Sequence, residues 1–300
     1  MSFNKGVSID TSHASRGGGG RGGRGGRGGL AVGGGLGGLV LVVVALFLGV
    51  DPGALTGGGG GQQQPGGSAD LAEQCQDAQV ADTDIECRII ATENSLDVYW
   101  ATALPELGEQ YQRPSTVVFS GQTSTGCGSA TSAVGPFYCP ADQTMYFDAT
   151  FFGVLTDQFG SSGGPFAQQY VVAHEFGHHI QNQIGLLNAA QQDPQGPESG
   201  AVRTELMADC LAGVWAHHAA GTVDPDTGVT FLAELTDTEI ADALSAASSV
   251  GDDRIQEKTQ GRVNPEAWTH GSSEQRQRWF TTGYQAGDLN SCDTLNTTDL

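Results

Sequence analysis

The chain has 300 residues, a formal net charge of −21 and 46 glycines, distributed so unevenly that the first seventy positions are not expected to share a core with the rest. Five of its thirteen basic residues, Lys5, Arg16, Arg21, Arg24 and Arg27, precede position 28, leaving 33 acidic against 8 basic residues beyond it. A surface of that sign repels phosphate backbones, which argues against nucleic acid as a partner of the folded part.

The Arg-Gly-Gly triplets from Gly20 to Gly29 admit two readings, an RNA-binding tract or a flexible basic flank to a membrane span. The flank is the more economical. No charged residue stands between Leu30 and Val50, and Leu39 to Leu48 is apolar throughout. The stretch is about long enough to cross a bilayer, although its glycines weaken a helix. Basic residues precede it and none follows until Arg88. The expectation is therefore a single-pass protein of the cell membrane, anchored by one helix, with its N-terminus cytoplasmic and the remainder extracytoplasmic. The partition is a disordered basic tail at 1–29, a transmembrane helix at 30–50, a Gly/Gln/Pro linker at 51–69 and one folded domain at 70–300. All six cysteines follow the span. Their spacing suggests Cys75–Cys87 and Cys127–Cys139, which leaves Cys210 with Cys292, although six cysteines allow other connectivities.

Within the domain, residues 70–107 read as helical, with Ile89, Ile90, Leu96, Val98, Tyr99 and Trp100 spaced for a buried face. Residues 116–119 and 144–148 are short β-rich runs around a Gly/Ser/Cys loop. A long helix is predicted from Pro165, suited to a first turn, to about residue 184, where Gly185 can stop it. A second covers 200–219, a third opens at the capping pattern Thr236-Asp-Thr-Glu239, and a last runs over 273–285 behind Ser272 and Gln275. The fold class is α+β, mainly helical with a small sheet.

The chemistry concentrates at His174-Glu175-Phe176-Gly177-His178. Residues four apart share a helix face, so His174 and His178 can offer nitrogens to one ion while Glu175 projects beside it. Two surface histidines next to an acid would be the bland alternative. A catalytic zinc needs a third ligand and an open position for water. Gln181 and Ile184 stand where a metzincin would carry Gly and His, which excludes that class. Glu205 and Asp209 lie one turn apart on the next helix: Glu205 can supply the third ligand, and Asp209 can accept the spare N–H of a ligand histidine. The resulting His-His-Glu set is the thermolysin-type site.

The segments HEFGHHIQ (174–181), ELMADCLAGVW (205–215), GPFYCPAD (135–142) and HGSSEQRQRWF (270–280) resemble the bacterial family of neutral zinc metallopeptidases, and the resemblance extends over nearly the whole chain. It implies a gluzincin-like, zincin-type fold, a Zn2+ cofactor and proteolysis of a peptide or protein substrate near neutral pH. In that reading Glu175 is the general base toward a metal-activated water. An oxyanion donor is also required. His270 is the candidate and Tyr284 the runner-up. Asp252 and Asp253 can orient His270 or serve as a helix-end charge pair, His179 points elsewhere around its helix, and the strand 144–148 is a candidate edge for a substrate backbone. The competing reading is a catalytically silent, zinc-binding scaffold or adaptor, against which the presence of Glu175 argues.

Overall fold

A computed structural model of the chain describes residues 3–17 and 68–300. Four strands form one sheet in the order β1 (Ala14–Arg16), β2 (Ser115–Phe119), β6 (Thr144–Asp148), β5 (Phe137–Cys139), with a separate hairpin of β3 (Gln122–Thr125) and β4 (Gly128–Thr131). β1, β2 and β6 run parallel, and β5 is antiparallel to β6. The run 144–148 is therefore interior to the sheet, and β5 and β1 form its two edges. β6 is buried at every position, the pattern of a strand covered on both faces.

Around the sheet stand α1 (Ser68–Gln74), α2 (Ile85–Glu106), α3 (Phe151–Asp157), α4 (Pro165–Gln183), α5 (Asn188–Gln192), α6 (Gly200–His218), α7 (Asp237–Ser249), α8 (Asp252–Gln260) and α9 (Ser273–Ala286). The architecture is the expected α+β. Pro165 opens α4, and capping boxes at Thr236/Glu239 and Ser272/Gln275 open α7 and α9. α4 touches β5 on one side and α6 and α7 on others, while α6 packs most extensively against α9. The disulfides follow the pairing suggested by spacing. Cys75–Cys87 joins α1 to α2, Cys127–Cys139 joins the β3–β4 hairpin to β5, and Cys210–Cys292 fastens α6 to the end of the chain.

The N-terminal segment corrects the expected topology. Residues 3–17 do not form a tail apart from the core: Phe3, Val7 and Ala14 are buried in the main hydrophobic cluster. β1 aligns with β2 from Ala14 opposite Thr116 to Arg16 opposite Val118. Asp10 pairs with Arg113 and receives an Asn94 amide hydrogen bond at its carbonyl, 3.0 Å. Arg16 pairs with Glu86, and Ser8 donates to Asp224. A segment hydrogen-bonded into the sheet cannot lie across a bilayer from it, so the arrangement of cytoplasmic N-terminus and extracytoplasmic domain is overturned. Among the described residues no helix is long and apolar enough to cross a membrane. The anticipated span at 30–50 and nearly all of the linker at 51–69 lie outside the described residues.

This packing predicts that residues 3–17 are part of the folding unit. Burial of a large apolar side chain contributes about 1.5–3 kcal/mol, so deletion of 1–17 is expected to lower the unfolding free energy by at least about 3 kcal/mol. Denaturant unfolding of the two chains, both oxidised, measures it, and an unchanged midpoint would refute it.

Candidate metal centre

α4 carries His174, Glu175 and His178 on the stretch that meets α6. Their approach is permitted by Gly177: a Cβ there would lie 3.0 Å from both the Cα and the carbonyl oxygen of Ala208. With the helices this close, Glu205 of α6 reaches both histidines. Its Oε2 stands 3.1 Å from His174 Nε2 and its Oε1 3.5 Å from His178 Nε2. One ligand atom from each of the three residues lies within 4.8 Å of the others.

Both histidines have their other nitrogen occupied by an oxygen acceptor. His174 Nδ1 donates to Asp209 Oδ1 at 2.8 Å, and His178 Nδ1 donates to Gln181 Oε1 at 2.9 Å. Gln181 is itself fixed, since its Nε2 donates to the Thr204 carbonyl at 2.6 Å. Both imidazoles are thus set to present Nε2 toward Glu205. Asp209 is anchored in turn by Arg276 of α9, whose Nε donates to Oδ2 at 2.8 Å and Nη2 to Oδ1 at 3.0 Å. The Tyr170 hydroxyl donates to the same carboxylate. Contact between α6 and α9 is again a matter of glycine. A Cβ on Gly283 would lie 1.9 Å from the Cys210 carbonyl oxygen, closer than any side chain can stand.

The electrostatics follow. Burial acts to raise the Asp209 and Glu205 carboxyls, but Arg276 and His174 hold Asp209 below its usual range, and His178, His270 and His174 hold Glu205 well below it. Burial would neutralise His174, yet Asp209 and Glu205 push it up to about 9. Glu175 differs: burial raises its carboxyl, with His174 and His178 pulling back. It is 7% exposed and borders a cavity of about 190 Å³. Among the described residues its carboxylate has no hydrogen-bond or ion-pair partner.

His270 lines the same cavity. Asp252, fully buried at the start of α8, accepts from the backbone N–H groups of Thr269, His270 and Gly271 at 2.7, 2.6 and 3.1 Å. Its other oxygen stands 3.5 Å from His270 Nδ1. Burial opposes protonation of His270, but the charges of Glu205 and Asp252 raise its pKa. The structure thus gathers His174, Glu175, His178, Glu205 and His270 at one cavity with Asp209 behind them. Tyr284 is elsewhere, against Phe280 and His217. His179 bonds Tyr138 and the Gln112 carbonyl. Gln181, Tyr170 and Arg276 are the participants that sequence reasoning missed. Gln181 was accessible, three residues after His178 on one helix face; nothing local marks Arg276.

Two imidazole nitrogens and a carboxylate, backed by oxygen acceptors, are a donor set that fits zinc. The comparisons agree. The family described as "Putative neutral zinc metallopeptidase" matches residues 1–295. The uncharacterized protein Rv2575 of Mycobacterium tuberculosis is 55% identical over the full length of both chains. The uncharacterized protein YpfJ of Escherichia coli K12 is 38% identical over 87% of each chain. No solved structure matches the chain.

Two outcomes are expected of zinc binding. Because supporting acceptors typically contribute ten- to a hundredfold in metal affinity, Asp209→Asn and Gln181→Leu should each weaken zinc binding by about that factor in competition with a chromophoric chelator. Equal affinity in both would remove their orienting role. In chelator-stripped protein, His174, held up to about 9, carries a proton at pH 7 that zinc must displace. Affinity should therefore rise with pH toward 9, and calorimetry in buffers of different ionisation enthalpy should register proton release.

Proposed function

The chain belongs to the "Putative neutral zinc metallopeptidase" family, and from that premise we propose that it is a zinc-dependent peptidase with Glu175 as its general base. The observation that carries this reading is the state of Glu175. Zinc binding needs His174, His178 and Glu205 and makes no use of another carboxylate. A buried, unpartnered acid facing a cavity costs stability unless it has work to do. That favours hydrolysis over a silent scaffold.

Zinc held by His174, His178 and Glu205 supplies Lewis acidity toward the scissile carbonyl and toward water. The chain's own groups do the rest. Glu175, raised above the ordinary carboxylate range by burial, takes the proton of the attacking water as its oxygen bonds to the carbonyl carbon. It delivers that proton to the amine nitrogen as the C–N bond breaks. His270, favoured in its protonated form by Glu205 and Asp252, donates toward the oxygen on which negative charge develops. Asp252 holds the His270 backbone in place and the Thr269 hydroxyl bonds its ring Nδ1 at 2.8 Å, the fixed orientation that such a donor requires. A substrate strand can align along β5, the edge strand whose Tyr138 lines the cavity.

The test is zinc content together with hydrolysis of casein and quenched peptides by the full chain. Glu175→Gln should keep its zinc and lose at least about a hundredfold in kcat. Glu205→Ala should lose the metal. His270→Ala should lower kcat by about a hundredfold with KM little changed. Zinc-loaded protein in which Glu175→Gln alters nothing would hand the assignment to the scaffold.

A further inference from the structure

We propose that His179 is a positioning residue. With Asn182 it fastens the edge strand β5 to the metal-binding helix α4 through the hydroxyl of Tyr138, and so fixes where a peptide aligned on β5 lies relative to the metal ligands. That a peptide is the ligand rests on the peptidase reading above; the fastening rests on hydrogen bonds within the chain.

The bonds run in one direction. A carbonyl only accepts, so His179 Nε2 donates to the Gln112 carbonyl at 2.7 Å and Nδ1 keeps its lone pair. The Tyr138 hydroxyl, 3.1 Å away, donates to that Nδ1, and its oxygen accepts from Asn182 Nδ2 at 3.0 Å. Gln112 is anchored in turn: its N–H donates to Gln183 Oε1 at 2.8 Å, and its carbonyl accepts a second bond from Gln183 Nε2 at 2.7 Å. His179, Asn182 and Gln183 all belong to the last turns of α4, whereas Tyr138 is the middle residue of β5 and lines the cavity.

Two features turn this network from packing into alignment. β5 has three residues and pairs on one side alone, with β6. So short a strand has few ladder bonds to hold it, and its place depends on what grips its two faces. Alternation puts Phe137 and Cys139 on one face, in the smaller apolar cluster, where Cys139 is tied to Cys127 and Phe137 stacks on Tyr146 with ring centroids 5.0 Å apart. Tyr138 alone faces the main core, and its grip there is the pair His179 and Asn182. The second feature is sequence adjacency. His179 follows His178 directly and points about 100° away around the helix, so one side chain faces Glu205 and the next faces β5. Consecutive Cα atoms stand about 3.8 Å apart, and the strand is thereby referenced to a metal ligand across a single peptide unit. Misplacing reacting groups by about 1 Å can cost about a hundredfold in rate, which is what such a reference guards against.

The experiment reads the strand and the metal centre separately in the zinc-loaded full chain. Hydrolysis of quenched hexapeptides, long enough to lie along β5, reports alignment; calorimetric titration with acetohydroxamate, a small metal-binding probe that does not reach β5, reports the metal centre. Tyr138→Phe and His179→Leu should each lower kcat/KM by at least about tenfold, with zinc content and acetohydroxamate affinity unchanged. Because both break the same bond, the double variant should fall no further than the weaker single one. His179→Gln, which keeps one donor and one acceptor, should recover most of the loss. Asn182→Leu, at a half-buried position, gives a second reading should His179→Leu fail to fold. Unchanged hydrolysis in Tyr138→Phe and Asn182→Leu would overturn the inference, and so would a parallel loss of acetohydroxamate affinity, the mark of a merely structural residue. If the unsubstituted protein cleaves no peptide, the peptidase reading fails before any variant is made, and the alignment role falls with it.

Discussion

Asp209 is a fully buried carboxylate at the meeting point of three helices, and the geometry of the candidate metal centre depends on how its charge is met. Inside a protein an unpaired carboxylate is untenable, and removing one partner of a buried pair costs several-fold more than the pair contributes. Here the guanidinium of Arg276 satisfies both oxygens from α9, and Tyr170 and His174 complete the set from α4. These bonds require α4, α6 and α9 to converge within hydrogen-bond reach of one point. Gly177 and Gly283 are the positions at which the backbones come close enough to allow it. Packing and electrostatics are thus one constraint. A helix shift that spared the apolar core would still strand a charge, which ties the position of His174 to the integrity of the whole helical layer.

The same logic recurs where the N-terminal segment meets the body. Arg113 stands among Asp10, Asp97 and the buried Glu93, so one cation serves acids from residues 3–17 and from α2. The ladder of β1 with β2 and the burial of Phe3, Val7 and Ala14 add apolar weight to that clamp. Composition hides this arrangement. Lys5 to Arg27 reads as one basic tract rich in glycine, yet its first part, with three spaced small or apolar residues and Asp10, is complementary to a sheet edge formed a hundred residues later. Sparse apolar positions gain meaning only against a partner surface, and no periodicity within the segment announces one.

What the sequence made legible was local. α4, α6, α7 and α9 could be read from Pro165, Ser272, Thr236 and their apolar faces because caps and helix periodicity act over one or two turns. The histidine pair was legible for the same reason. α8 was not: Asp-Asp-Arg-Ile-Gln-Glu-Lys-Thr-Gln offers Ile255 as its single apolar residue, and the helix is placed by tertiary contacts rather than by amphipathic pattern. Yet α8 brings Asp252 and Ile255 to the cavity. Arg276 lies 67 residues from Asp209, and its role is a property of the fold alone. The interior position of β6 was likewise invisible, because a run of five residues carries no information about which neighbours flank it.

Three buried carboxylates at this centre show how one chemical group is made to serve different ends. Asp209, surrounded by donors, is held anionic and can do nothing but orient its neighbours. Glu205, facing His178, His270 and His174, is held anionic with its oxygens directed at the nitrogens of the cluster, as a ligand must be. Glu175 shares their burial and lacks their partners, so desolvation prevails and its proton affinity rises. A general base works best when its proton affinity lies near that of the group it serves at the operating pH. The fold moves Glu175 in that direction by withholding hydrogen bonds rather than supplying them. The division among the three acids follows from where α4, α9 and the loop before α9 place their donors: Tyr170, His174 and Arg276 around Asp209, His174, His178 and His270 around Glu205, and, among the described residues, none at Glu175.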